Sequence, residues 1–86
     1  MNKIYVKVLA EFDTEGKVIP KSIEWYNGKI YEIKKILDVR NAVALKTSGS
    51  GIRYTVKIGR QITYLFCEGQ NISNHHSFCK WFVEAK

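Results

Sequence analysis

The sequence predicts a small all-β domain whose six strands form a barrel-like sheet. Apolar and polar residues alternate over most of the chain, which is the period of a half-buried strand. No segment of about ten residues shows the helical period, and clusters of Gly, Asn, Asp and Ser separate the alternating stretches. Closure protects sheet edges, so an SH3-like barrel is our first expectation and an OB-like barrel our second. The 86 residues have room for one core, and 1–86 is treated as a single domain.

The first half of the chain predicts three strands. Alternation over 4–12 indicates a long first strand, which a turn at 13–17 ends. The second strand is expected at 18–25, where Pro20 indicates either an edge position or a bulge near the start. The third strand is expected to run from 29 to about 39.

The length of the turn between the second and third strands follows from which face of the sheet the flanking residues occupy. A two-residue Asn27-Gly28 loop would place Trp25 and Tyr31 on opposite faces of the sheet. A three-residue loop at 26–28 places them on the same face, provided that Gly28 adopts the left-handed conformation. We therefore predict a hairpin with a G1 bulge.

The second half of the chain predicts three more strands. The Gly- and Ser-rich segment 41–51 predicts a loop, with a short helical turn at 42–45 as the alternative. A three-residue loop at 59–61 would join the strands on either side of it into a second hairpin, whose inward side chains are aromatic and apolar. The polar segment 68–77 predicts a further loop. The three strands are expected at 52–58, 62–66 and 78–84.

Two cysteines and two histidines supply the ligand types that zinc prefers. Structural zinc sites usually bring cysteines in close pairs, whereas no second cysteine lies near Cys67 in the sequence. We therefore predict no metal and no cofactor. Cys67 and Cys79 are expected to be small buried hydrophobes kept as thiols, and His75 and His76 a solvated loop pair.

Motifs for catalysis are missing from the sequence, which contains no nucleophile elbow, phosphate loop or dinucleotide fingerprint. A cysteine beside a histidine is the one conceivable nucleophile and base, and it lacks an orienting third group. We therefore predict that the protein is not an enzyme. A small thiol enzyme or hydrolase is the least favoured alternative.

Basic residues point to an anionic partner, DNA or RNA. Fourteen Lys and Arg against eight Asp and Glu give a formal net charge of +6. These charges form no block of five, so solubility alone is the alternative explanation. Alternation places basic side chains of the second hairpin outside, and others lie near the end of the third strand. The predicted nucleic-acid site contains Arg53, Lys57, Arg60, Lys34, Lys35 and Arg40, with Tyr5 or Tyr26 available for base stacking.

Asp38 and the arginines near it also have a structural interpretation, which is the alternative to nucleic-acid binding by those arginines. Its side chain is expected to cap the turn at 41–45 and to pair with Arg40 or Arg53. The N-terminus lacks the uninterrupted apolar core of a signal peptide, and no apolar run approaches about 18 residues. The sequence therefore predicts a cytosolic protein without membrane association.

A family pattern runs over most of the chain. Its residues are Pro20, Ile23, Trp25, Gly28, Tyr31 and Ile33, then Leu37-Asp38-Val39-Arg40, Gly51-Ile52-Arg53-Tyr54, Tyr64-Leu65-Phe66 and Trp81-Phe82-Val83-Glu84. With these residues the chain resembles a family of small uncharacterised bacterial proteins. Genes of that family often lie near those of Y-family translesion DNA polymerases or on mobile elements, so the resemblance implies a role near DNA damage tolerance. The segment 69–79 departs from the family pattern, which has a shorter loop there.

The expected function is that of a non-enzymatic accessory module. It would bind nucleic acid weakly, by electrostatic contacts that do not depend on base sequence. The alternative is a protein-interaction domain that contacts a DNA repair or replication protein. It would use an exposed strand edge or the loop at 47–51.

Overall fold

A computed structural model of the chain describes residues 2–41, 51–72 and 76–85, and all their side chains except those of 70–72, 76–78 and 85. Every regular element in these ranges is a β-strand, and none of them contains a helix long and apolar enough to cross a membrane. The strands are β1 Asn2–Phe12, β2 Val18–Glu24, β3 Ile30–Glu32, β4 Lys35–Asn41, β5 Gly51–Ile58, β6 Gln61–Ile72 and β7 His76–Ala85. The all-β class is confirmed. The strand count is seven rather than six, because the predicted third strand is divided into β3 and β4.

All seven strands form one antiparallel sheet in the order β3-β2-β1-β7-β6-β5-β4. This order is a meander, which differs from the Greek key of an OB barrel. The sheet curls, and the two edge strands β3 and β4 are joined directly by two residues. The Ile33 amide donates to the Lys21 carbonyl and the Lys34 amide to the Lys57 carbonyl, both at 2.9 Å. The chain thus passes from one edge of the sheet to the other, and the domain is barrel-like.

The core lies on the inner face of the curled sheet. Alternate residues of each long strand point inward, as the period of two predicts. The rings of Tyr54 and Trp81 meet there with their centroids 5.5 Å apart. A fully buried aliphatic side chain, such as that of Val56 or Leu65, contributes roughly 1.5–3 kcal/mol to folding. The buried cluster contains Ile23, Tyr54, Val56, Leu65, Cys67, Trp81 and Val83.

A bulge separates the two halves of the β1–β2 ladder. Leu9 pairs with Ser22 and Ala10 with Pro20, which leaves Lys21 as the extra residue. Proline cannot donate to a ladder, so a position beside a bulge suits it. The predicted bulge is confirmed. The alternative of an edge position holds locally, since β3 pairs with β2 only over 22–24 and Pro20 pairs with β1 alone.

The predicted three-residue loop at 26–28 is confirmed. Ile23 pairs with Tyr31, so the two residues share a face. The Gly28 amide donates to the Trp25 carbonyl at 2.9 Å. The φ angle of Gly28 is +86°, in the left-handed region that residues with a Cβ rarely adopt.

The second hairpin differs from its prediction. Ile58 pairs with Gln61, so the turn holds only Gly59 and Arg60 rather than the expected three residues. Gly59, with a φ of +59°, accommodates this tighter turn. A one-residue change in loop length moves every side chain of the following strand to the other face. The outward residues of β6 are therefore Ile62, Tyr64 and Phe66, and the inward ones are Leu65 and Cys67.

The predicted loop at 68–77 is also wrong in extent. β6 continues to Ile72 and β7 begins at His76, so these strands form a long hairpin. His75 lies outside the described residues. So does the segment 42–50, which contains the predicted helical turn and nearly all of the loop at 47–51.

Cys67 and Cys79 form a disulfide between β6 and β7, with their Cα atoms 5.6 Å apart. The ladder pairs Cys67 with Trp81 and Gly69 with Cys79, which makes the cysteines diagonal neighbours on one face. The prediction of two separate thiols is therefore wrong. The cysteines meet only because β6 extends through residues whose polar composition is typical of a loop.

Candidate nucleic-acid interface

Four of the six predicted basic residues lie on one face of the sheet. Lys35 pairs with Lys57, and Arg40 pairs with Arg53, across the β4–β5 ladder. Arg53 and Lys57 alternate with buried residues of β5, so their side chains point outward. We call the outward surface formed by these four residues the basic face.

The remaining two basic residues lie at the end of the basic face. Lys34 is held beside Lys57 by its backbone hydrogen bond, and Arg60 belongs to the β5–β6 turn. Both residues line a groove of about 810 Å³ at this end of the domain. Lys34 and Arg60 therefore lie at the Lys35–Lys57 end of the basic face, on a different surface.

An apolar row on β6 runs beside the basic face. Ile62 and Tyr64 point outward and are 62% and 47% exposed. In the β5–β6 register Lys57 stands opposite Ile62, and Arg53 opposite the buried Phe66. Cationic side chains next to exposed aromatic ones are typical of surfaces that bind single-stranded nucleic acid. The sequence did not predict this row, because the expected loop length placed it inside.

Arg53 stacks on Tyr64. Its guanidinium carbon lies 4.5 Å from the centroid of the Tyr64 ring. The Nε atom is buried and has no hydrogen-bond partner within the described residues. Such a cation–π contact contributes about 0.5–1 kcal/mol at an exposed site, and burial of an unpaired donor opposes it. Among the described residues no carboxylate forms an ion pair with Arg53.

Arg40 forms the ion pair predicted for it. Its Nε donates to the Asp38 carboxylate at 2.7 Å. The side chains are 69% and 42% exposed, so the pair contributes at most about 1 kcal/mol. Asp38 lies opposite Thr55, between the two basic pairs, because a bulge shifts the register after Ile36. The basic face therefore carries four cations and one carboxylate.

A second aromatic cluster lies on the outer face of β1, β7 and β6. The rings of Phe66 and Phe82 stack with centroids 4.8 Å apart, and Lys3 Nζ lies 4.7 Å from the Phe82 centroid. The Tyr5 hydroxyl donates to the buried Glu68 carboxylate at 3.0 Å, and this hydrogen bond, together with burial, raises the pKa of Tyr5. The contact occupies the hydroxyl of a residue expected to stack bases.

The sequence contained a signal for this cluster. The uninterrupted apolar run Trp81-Phe82-Val83 is typical of a strand buried on both faces, rather than one. Glu68 directly follows the apolar run Leu65-Phe66-Cys67 in the sequence. This position indicates that the buried strand continues through Glu68, and the Glu68 side chain is indeed buried.

Tyr26, the other residue expected to stack bases, is 81% exposed, and its ring lies 5.4 Å from that of Trp25. It belongs to the hairpin loop above the groove. Over the described residues no group of three or more His, Cys, Asp or Glu side chains is placed to hold a metal ion. Cys67 and Cys79, joined in a disulfide, supply no thiolate.

The six predicted residues thus form one basic face and one end of a groove, and an exposed apolar row borders the face. Comparison of the chain with protein-family models, with curated proteins and with solved structures finds no match. Function is therefore inferred from the surface itself.

Proposed function

We propose that this protein is a non-enzymatic accessory module that binds nucleic acid on the basic face. The observation that carries the proposal is the shared orientation of two cationic pairs beside an exposed apolar row. Arg53 and Lys57 are four residues apart on one strand, a separation of roughly 13 Å. A nucleic-acid backbone lying along β5 would thus meet a cationic pair at each end of the strand.

Binding of this kind is weak and depends on salt. Each phosphate contact releases condensed counterions, so affinity falls as salt rises. Four contacts to a single strand give a slope of about −3 for the logarithm of the association constant against the logarithm of salt concentration. The cations contact phosphates rather than base edges, so base sequence has little effect.

The cellular setting is part of the proposal. The family resemblance supports a role near DNA repair or replication in a bacterium, and we place the protein in the cytoplasm. Glutathione and thioredoxin keep most cytosolic cysteines reduced. In that compartment the Cys67–Cys79 crosslink would form only under oxidising conditions.

Fluorescence anisotropy with labelled single- and double-stranded DNA, at low and moderate salt, tests the proposal. Lys57→Glu and Lys35→Glu reverse charges on exposed side chains of the basic face. Arg53 is less suitable for charge reversal, because it is half-buried. Lys17→Glu is the matched control, since it makes the same charge change on a side chain 73% exposed in the β1–β2 turn.

Wild-type protein is expected to bind with salt-sensitive affinity, and both basic-face variants to bind several-fold more weakly than the control. Lack of salt-sensitive binding at tens of micromolar protein would end the proposal. An equal loss in all three variants would show that net charge alone attracts DNA, without a defined face.

A second candidate function, protein interaction by strand addition, is favoured by the edge at β3. Trp25 with Lys29 and Lys21 with Ile33 are hydrogen-bonded pairs of this hairpin, and alternation makes Ile23 with Tyr31 the hydrogen-bonded pair between them. The backbone amides and carbonyls of Ile30 and Glu32 therefore point away from β2. An extended segment of another protein pairs with such an edge.

Hydrogen exchange tests this second candidate, with a Y-family polymerase as the added partner. The outward amides of Ile30 and Glu32 are expected to become protected when the polymerase is present. The Tyr31 amide, which faces β2, serves as the internal control because it is already paired. Unchanged exchange at Ile30 and Glu32 would exclude strand addition by this partner.

A further inference from the structure

The groove at the end of the basic face has an apolar floor. It lies between the β2–β3 and β5–β6 hairpins, where the mouth of the barrel opens, and its volume is about 810 Å³. Inward-facing Ile23, Ile58 and Val83 line it, together with the rings of Trp25 and Tyr31. Ligand-binding clefts have volumes of about 300–1,000 Å³, and the mouths of β-barrels with apolar walls and a few polar groups are a common place for them.

Charges on the groove lining balance. Lys34 and Arg60 are opposed by Glu32 and Glu84, so the part of the lining that the structure describes has two cations and two carboxylates. A strongly charged group therefore gains little by entering. A flat, neutral, polarisable group fits the aromatic walls better, and the lining also offers two polar side chains with donors and acceptors, those of Gln61 and Thr63.

The groove is continuous with the basic face. Lys34 joins the two surfaces, because its backbone amide donates a hydrogen bond to the Lys57 carbonyl and Lys34 also lines the groove. Lys35, the next residue, pairs with Lys57 on the basic face. A strand whose phosphates follow the basic face is thereby led to the groove.

We propose that the groove receives one unstacked base of a single-stranded nucleic acid whose backbone lies along the basic face. The inference rests on the proposed function and names its substrate class. A base is flat, neutral and polarisable, and base–aromatic stacking tolerates any sequence. In a duplex the same base must first leave its stack and its pair, which costs a few kcal/mol. The groove thus makes the protein prefer single strands, while the basic face binds both forms.

Tyr31→Ala tests the inference. Tyr31 is 39% exposed on β3, so its ring can be removed at modest cost to the fold. Phe12→Ala is the matched control: this aromatic side chain is 73% exposed and lies at the end of the β1–β2 hairpin remote from Trp25. Anisotropy is measured with oligothymidylate and with a duplex of equal length. Tyr31→Ala is expected to weaken single-strand binding by about fivefold or more and leave duplex binding unchanged.

Tryptophan fluorescence supplies a second readout that loss of stability would not imitate. The chain has two tryptophans, and Trp81 is only 8% exposed in the core. Oligothymidylate is expected to quench wild-type emission through Trp25. The variant Trp25→Phe keeps an aromatic wall, so it should still bind but lose most of the quenching.

The outcomes separate the two proposals. If DNA binding is salt-sensitive but Tyr31→Ala behaves like Phe12→Ala, the base-binding groove is wrong and the basic face stands. Quenching by thymidine monophosphate at the affinity of the oligonucleotide would also overturn the inference, because the strand would then contribute nothing. If neither DNA form binds, both proposals fall.

Discussion

The Tyr54 hydroxyl donates a 2.8 Å hydrogen bond to the Val18 backbone carbonyl. Tyr54 belongs to β5 and Val18 begins β2, and β1, β7 and β6 separate these strands in the sheet. The bond therefore crosses the interior of the curled sheet and ties its two halves together. Tyr54 is only 3% exposed, so its hydroxyl is shielded from water and needs the Val18 carbonyl as its hydrogen-bond acceptor.

Tyr54→Phe is expected to lower the free energy of unfolding by about 1 kcal/mol. The variant loses the hydroxyl and leaves the Val18 carbonyl without this donor, while the ring keeps its contact with Trp81. Urea denaturation followed by tryptophan fluorescence measures the change. Tyr64→Phe, at a side chain 47% exposed, is the control and should cost less than about 0.5 kcal/mol. Equal losses in the two variants would contradict a special role for the Tyr54–Val18 bond.

Stability is expected to fall at strongly alkaline pH. The Glu68 hydrogen bond raises the pKa of Tyr5, and burial raises the pKa of Tyr54, each from 10.0. The fold thus favours the neutral phenols. Their stabilising effect is complete below pH 10 and is lost as pH rises through the higher pKa values of the folded protein.

Ultraviolet titration of the phenolate band checks this pH dependence. Some of the five tyrosines are expected to ionise later in folded protein than in denatured protein, and Tyr54→Phe should remove part of this late absorbance. If the titration curves of folded and denatured protein coincide, neither tyrosine is protected.

Reduction of the Cys67–Cys79 disulfide is expected to lower the unfolding free energy. The crosslink closes a loop with a sequence separation of 12. Closing a loop of this size restricts the unfolded chain by about 2–3 kcal/mol. Urea denaturation with and without a reductant measures the effect, and Cys79→Ser should not respond to the reductant. Alkylation of both cysteines in the native, unreduced protein would show that the disulfide is absent.

Arg53→Met is expected to separate stability from binding. The change removes a buried Nε without a partner in the described residues, and also removes the cation above Tyr64. These effects oppose each other, so the unfolding free energy should change by less than about 1 kcal/mol. Affinity for single-stranded DNA should fall several-fold at low salt, because a phosphate contact is lost. A loss of stability above about 2 kcal/mol would instead assign Arg53 to the fold.

The alternating pattern was sufficient to predict the structure of a turn where residues close together in the chain determine that structure. The left-handed Gly28 and the pairing of Ile23 with Tyr31 followed from matching faces across a short loop. The same reasoning failed at 59–61, because apolar residues on both faces of β6 satisfied either loop length. Outward Tyr64 and inward Leu65 could then not be told apart. That uncertainty hid the apolar row beside the basic face.

Alternation along one strand is a local property, so the sequence alone determined the all-β class and the outward direction of Arg53 and Lys57. Only the tertiary structure decided which strands lie side by side. The pairing of β4 with β5 set Lys35 beside Lys57, and the long β6–β7 hairpin joined Cys67 to Cys79. The curl of the sheet opened the groove beside Lys34. These contacts join residues that are distant along the chain, and their register depends on loop lengths and bulges that the alternating pattern does not specify.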